Sequence, residues 1–161
     1  MTIGVIVFVV GLIVGLAVAA DVGVAMMRRK MVVSERSAHS FEETCARVEA
    51  VVGRTEGWGL PRPSFDMSDK LAEKGALPEN VRRIRQFSVC SPPIAKRVLG
   101  RNPKLSAIMP CAWSVYELAD GSVWLSRMNV GLLSRVMGGE VGAAMQGVAL
   151  AEGTFLAKVL R

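Results

Sequence analysis

The chain's most chemically suggestive residues are two cysteines set in unusual surroundings. They stand in Cys90-Ser91-Pro92-Pro93-Ile94-Ala95 and in Met109-Pro110-Cys111. Thiols that meet in space can attack and resolve through a mixed disulfide. A thiolate with Met109 or Met128 beside it also suits a soft ligand such as Cu(I), or haem iron through one sulfur. The Cys-x-x-Cys spacing is absent, so a third reading stands beside these: small buried residues closing two strands. The candidate ligand or redox site is therefore Cys90, Ser91, Pro92, Pro93, Cys111 and Met128, with the metal or cofactor itself unidentified.

Local patterns indicate how these residues are held. Arg83 to Cys90 reads as a strand, with Ile84, Gln86 and Ser88 alternating against Arg85, Phe87 and Val89. Pro92-Pro93 opens a helix through Leu99, since proline is tolerated in a first turn, and Gly100 is expected to close it. Ile108 to Leu118 is the next strand, Asp120-Gly121 a hairpin turn, and Ser122 to Met128 the return strand. Antiparallel pairing would put both sulfurs at one end of the sheet. They would flank a helix N-terminus, whose free amides favour a thiolate or another anion.

Upstream, Ser40-Phe41-Glu42-Glu43 is a capping box for a helix with Phe41, Cys45, Val48 and Val52 on one face. From Val130 onward the pattern is helical, with a break at Gly138-Gly139. Gly139, Ala143, Gly147 and Ala151 form a small-residue stripe suited to close packing on the sheet. Arg135, Glu140, Glu152 and Lys158 argue against a second membrane span there.

Hydrolytic chemistry finds little support. His39 is the one histidine, which excludes a multi-histidine metal site within one chain, and it lies far in sequence from either thiol. Asp66, Asp69 and Glu117 show no paired arrangement for acid–base work. The balance leans away from an enzyme.

The N-terminus is of a different kind. Thr2 to Ala20 carries no charge, and a helix of that length rises about 28 Å, near the thickness of a bilayer's hydrocarbon core. Arg28, Arg29 and Lys30 follow it and no basic residue precedes it. Basic flanks stay cytoplasmic, so residues 1–30 read as a single-pass anchor in the cell membrane, with residues 31–161 in the cytoplasm. Ala17-Val18-Ala19 has the form of a signal-peptide cleavage site, but the basic leading region of such peptides is missing. Gly11, Gly15, Ala19 and Gly23 recur every four residues, a face on which a second helix can approach closely, from another copy or from a membrane-protein partner.

The formal net charge is +6. Between Asn80 and Tyr116 there is no acid, while Arg82, Arg83, Arg85, Lys96, Arg97, Arg101 and Lys104 all occur. Such a stretch reads either as a solvated face or as a surface for phosphate, lipid or an acidic partner. The 6% aromatic content and the lack of a binding motif argue against nucleic acid, so no nucleic-acid partner is expected. Three cysteines are an odd set, which suits a reducing compartment.

Several of these segments resemble a known family. Phe41-Glu42-Glu43-Thr44, Cys90-x-Pro92-Pro93-x-Ala95, Asn102-Pro103 and Pro110-Cys111 through Tyr116-Glu117 are similar in order and spacing to the domain of unknown function 302 family, over roughly residues 31–160. Met128-Asn129 followed by Gly138-Gly139 resembles a subset of its bacterial members, while many members carry Asn where this chain has Ser91. The resemblance implies an α+β domain, a curved and mainly antiparallel sheet packed by helices, often dimeric, preceded here by a single transmembrane helix. It implies no activity. The expected function is a membrane-tethered accessory or binding protein. The alternative is a thiol-redox, soft-metal or haem domain centred on Cys90 and Cys111.

Overall fold

The computed structural model describes residues 2–161, which divide between Val32 and Val33 into two units. The first is one helix, α1 (Thr2–Lys30), ending on Arg28, Arg29 and Lys30. Its Gly11–Lys30 stretch has a mean hydropathy of 1.7. The helix is long and apolar enough to cross a membrane, a property that signal sequences share. Gly11, Gly15, Ala19 and Gly23 lie on it and are exposed.

The second unit is an α+β domain built on an open five-stranded sheet of order β1-β5-β4-β3-β2. Its strands are β1 (Val32–Arg36), β2 (Phe65–Asp66), β3 (Val81–Val89), β4 (Cys111–Leu118) and β5 (Val123–Met128). β2 with β3, β3 with β4, and β4 with β5 all pair antiparallel. Phe87 faces Trp113 and Val89 faces Cys111, while Trp113 faces Arg127 and Val115 faces Leu125. Strand alternation thereby collects Phe87, Val89, Trp113, Val115, Val123 and Leu125 on one buried face.

Two helices cover that face. α2 (Phe41–Gly53) starts where the Ser40 side chain accepts from the Glu43 amide, and it buries Phe41, Cys45, Val48 and Val52. The last helix, α6 (Gly139–Val159), adds Phe155, Leu156 and Val159 to the same core. Phe155 meets Trp58 and Trp113 edge-on at 5.1 and 6.4 Å. Burial of each such large side chain is worth about 1.5–3 kcal/mol. The helix α3 (Met67–Ala72) is tied to β3 by Ser68, which accepts from the Ile84 amide.

Beyond the end of β3, α4 (Pro92–Arg101), a 3-10 turn (Pro103–Ile108) and α5 (Val130–Met137) pack with the first half of α6 in two smaller apolar clusters. Here three expectations are corrected. Gly100 does not close α4, because the helix runs on to Arg101 and ends at Asn102, whose backbone N–H donates to the Val98 carbonyl while its side chain caps the 3-10 turn that follows. The strand begins at Cys111 rather than Ile108, since the chain first makes the 3-10 turn. Most of the small-residue stripe of α6 does not pack on the sheet: Gly139, Ala143 and Gly147 are exposed, Ala151 alone of the four packs against the core, and the buried face is Gly142, Ala144, Met145, Val148, Glu152 and Phe155. Glu152, one of the charges that argued against a second membrane span, is 2% exposed.

Candidate functional site

The β3–β4 pairing places Cys90 just past the end of one strand and Cys111 at the start of the next, opposite Val89. Cys90 also exchanges two backbone hydrogen bonds with Gly59, at 2.9 and 3.0 Å. Burial pushes the Cys90 thiol up from its ordinary value. Cys111 is pushed up to about 11, first by burial and then by the negative charges of Glu152 and Cys90. Both cysteines thus lie at the same end of the sheet, as antiparallel pairing requires. The helix N-terminus at Pro92 and Pro93 does not offset this burial, so neither thiol is poised as a thiolate at neutral pH. Ser91 is buried at the start of α4 without capping it. Cys45 is likewise pushed up to about 11 by burial, as a packed core thiol should be.

Cys111 also borders a small cavity of about 30 Å³ with apolar walls. Met109, Met128 and Met145 line it too, with aliphatic side chains such as Ile94 and Leu133. Cys90 does not border it. A space of that size has no room for a haem macrocycle.

On the other side of Cys111 lies a polar network that sequence reasoning did not find. Trp113 donates its indole N–H to Glu152 Oε1 at 3.1 Å. Arg127 reaches Glu152 Oε2 at 3.7 Å and donates to Glu35 at 3.0 Å. Burial raises the Glu152 carboxyl above its ordinary value, opposed by the Trp113 hydrogen bond and the Arg127 charge. The Arg127 Nε is buried and has no hydrogen-bond partner among the described residues. The guanidinium therefore sits between an interior carboxylate and a surface one, with donor capacity to spare.

Arg127 opens onto a cleft of about 500 Å³ between β1, β5 and the end of α6. Arg36 and Arg161 add positive charge, Glu35 is the facing acid, and Trp124 with Leu156 supplies apolar wall. A signal for this site did exist in the sequence. Arg127 continues the core-facing alternation Val123, Leu125, and Glu152 lies in phase with Met145, Val148 and Phe155 on α6. A cation and an anion on facing core positions point to a buried pair.

The basic stretch from Arg82 to Lys104 does not form one patch. Arg83 pairs with Glu42 and Glu117, at 2.9 and 2.6 Å, and Arg85 with Glu42 and Asp66. Both guanidiniums stack over Phe41, at 4.3 and 5.3 Å from its ring centre. Arg82 lies 3.6 Å from Glu117, and Arg101 pairs with Glu140. Lys96, Arg97 and Lys104 carry no ion pair among the described residues. His39 contacts Glu43 at 3.1 Å and hydrogen-bonds no thiol. Among the described residues no group of three or more His, Cys, Asp or Glu is placed to hold a metal.

The family model described as Domain of unknown function DUF302 matches residues 33–159. A solved structure, described as a crystal structure of an uncharacterized conserved protein DUF302 from Bacillus stearothermophilus, shares 23% identity and a TM-score of 0.69. The match covers 81% of this chain and 98% of that one, so the fold is common to both. No curated protein matches the chain.

Proposed function

The chain belongs to the DUF302 family, and we propose that this member is a membrane-tethered accessory protein whose globular part binds a small anionic ligand. The tether is supported by the length and apolarity of α1 and by its basic last turn, which favours a cytoplasmic placement of the domain. The Gly11, Gly15, Ala19 and Gly23 face gives α1 a means of joining a second copy or a membrane-protein partner.

One observation carries the binding reading: Arg127 lies between Glu152 and Glu35 and lines a cleft that also has Arg36, Arg161 and Trp124 in its walls. A guanidinium fixed in place loses little entropy on accepting a carboxylate or phosphate, and Trp124 offers a flat surface to the ligand's body. The expected ligand therefore has one anionic group and a planar or apolar part. The inferred anion site is beside β5, where Arg127 keeps an Nε without a hydrogen-bond partner among the described residues and Arg36 and Arg161 stand near it; on the Arg82–Lys104 stretch, Arg82, Arg83 and Arg85 are engaged by Glu42, Asp66 and Glu117.

The test is thermal unfolding of the detergent-solubilised full chain against a panel of carboxylates and phosphates at constant ionic strength. A true ligand at a hundred times its Kd stabilises by about 2.7 kcal/mol. Arg36→Gln and Trp124→Ala, both at the cleft wall, are expected to weaken that stabilisation. No stabilising anion, or stabilisation untouched by both variants, contradicts the reading. Retention of the chain in membranes after alkaline extraction tests the tether separately.

A further inference from the structure

From the sulfur-lined cavity we propose a second site, a buried centre for one monovalent soft metal ion, Cu(I), formed by Cys111, Met109, Met128 and Met145. It goes beyond the anion-binding reading and does not depend on it. The four residues come from four separate places in the chain: the loop before β4, the start of β4, the end of β5 and the middle of α6. Three of the five methionines that follow residue 33 are gathered around this one space. Methionine is a common gap filler in cores, but three of them beside one cysteine around a single space also make up a set of soft donors.

The chemistry of the walls selects the ion. Thiolate and thioether sulfurs are soft donors that favour Cu(I), whereas hard divalent cations require oxygen ligands, and this cavity presents no polar wall. Its volume of about 30 Å³ is enough to admit a water, yet a water there would meet no polar wall. A soft monovalent ion suits such a space, since the donors its walls can offer are sulfur. Cys111 enters as a thiol, and binding forms the Cu–S bond as the S–H bond breaks, with no change of oxidation state at either atom. The released proton passes to solvent. Cys90 lies outside the cavity wall and takes no part.

The experiment is anaerobic titration of the detergent-solubilised full chain with Cu(I) in competition with a chromogenic Cu(I) chelator, repeated with Ag(I) as a redox-inert surrogate. The expected result is one equivalent bound, with an X-ray absorption spectrum showing sulfur-only ligation. Met128→Leu and Met145→Leu preserve side-chain volume, so folding is retained. Each is expected to weaken binding by at least about tenfold. Cys111→Ser should abolish it and Cys90→Ser leave it unchanged. Failure of the wild-type chain to take Cu(I) from the chelator overturns the proposal. So does a nitrogen- or oxygen-dominated spectrum, or affinity that survives the Met128→Leu/Met145→Leu pair.

Discussion

Trp113 and Glu152 meet in the centre of the domain, the indole N–H of one donating to the carboxylate of the other at 3.1 Å, with both side chains almost wholly buried. The contact joins β4 to α6 and fixes the carboxylate that in turn steers Arg127 toward the cleft.

Removing that carboxylate breaks both arrangements. Glu152→Ala leaves the Trp113 N–H without its acceptor and Arg127 without its inner counter-ion, a loss of about 3 to 5 kcal/mol by the usual cost of breaking a buried pair. Glu152→Gln keeps an acceptor for Trp113 and should cost less. Denaturant unfolding of the two variants gives the order; equal losses would show that the indole hydrogen bond contributes nothing.

The same residue sets a pH dependence. Burial raises the Glu152 carboxyl above its unfolded value, so the folded state holds its proton more tightly than the unfolded chain does. Its contribution to stability is therefore complete below the unfolded pKa and is lost as pH rises through the folded one. Wild type compared with Glu152→Gln, which does not titrate there, should lose relative stability from about pH 4 upward. A difference that is flat, or that grows with pH, contradicts the assignment.

The three thiols are ranked by burial. Cys45 and Cys111, both pushed up to about 11, should alkylate far more slowly at neutral pH than Cys90, which is less enclosed. Two units above the ordinary 9.0 leave about a hundredfold less thiolate. Mass spectrometry of iodoacetamide-treated protein should find Cys90 modified first. Rapid modification of Cys111 would restore the redox reading.

Gly142 is required where α5 and α6 touch. A Cβ at this position would lie 2.5 Å from the Ser134 carbonyl oxygen, a backbone atom that has little room to yield. Gly142→Ala should destabilise the chain by about 1 to 3 kcal/mol, the usual range for overpacking. Gly147→Ala, on the exposed side of the same helix, meets nothing and should be neutral or slightly stabilising. Thermal unfolding of both variants checks the contrast.

Much of the fold is legible in the residues themselves. The Ser40 side-chain cap, the alternation of β5 and the Asp120-Gly121 turn each act through neighbours in sequence, and each appears where its pattern indicates; the reciprocal half of the capping box does not form, because the Glu43 carboxylate turns to Arg47 and His39. The cysteine neighbourhood follows too, because antiparallel pairing of two adjacent strands determines it. The cleft was missed for a physical reason. Charge was read along the chain, where Arg127 and Glu152 are isolated and Arg82 to Lys104 form a run. In space, α2 brings Glu42 to Arg83 and Arg85, while α6 turns Glu152 inward. The phase of α6 is set by the larger gain from burying Met145, Val148 and Phe155, not by its small-residue stripe.

Nuclear magnetic resonance of the solubilised full chain, with an added carboxylate or phosphate ligand, tests the central claim most directly. The side-chain N–H signals of Arg127 and Trp124 should shift together and saturate, while those of Lys96 and Arg97 on α4 stay in place. Shifts that centre on α4, or that never saturate at Arg127, would contradict a binding cleft at the edge of β5.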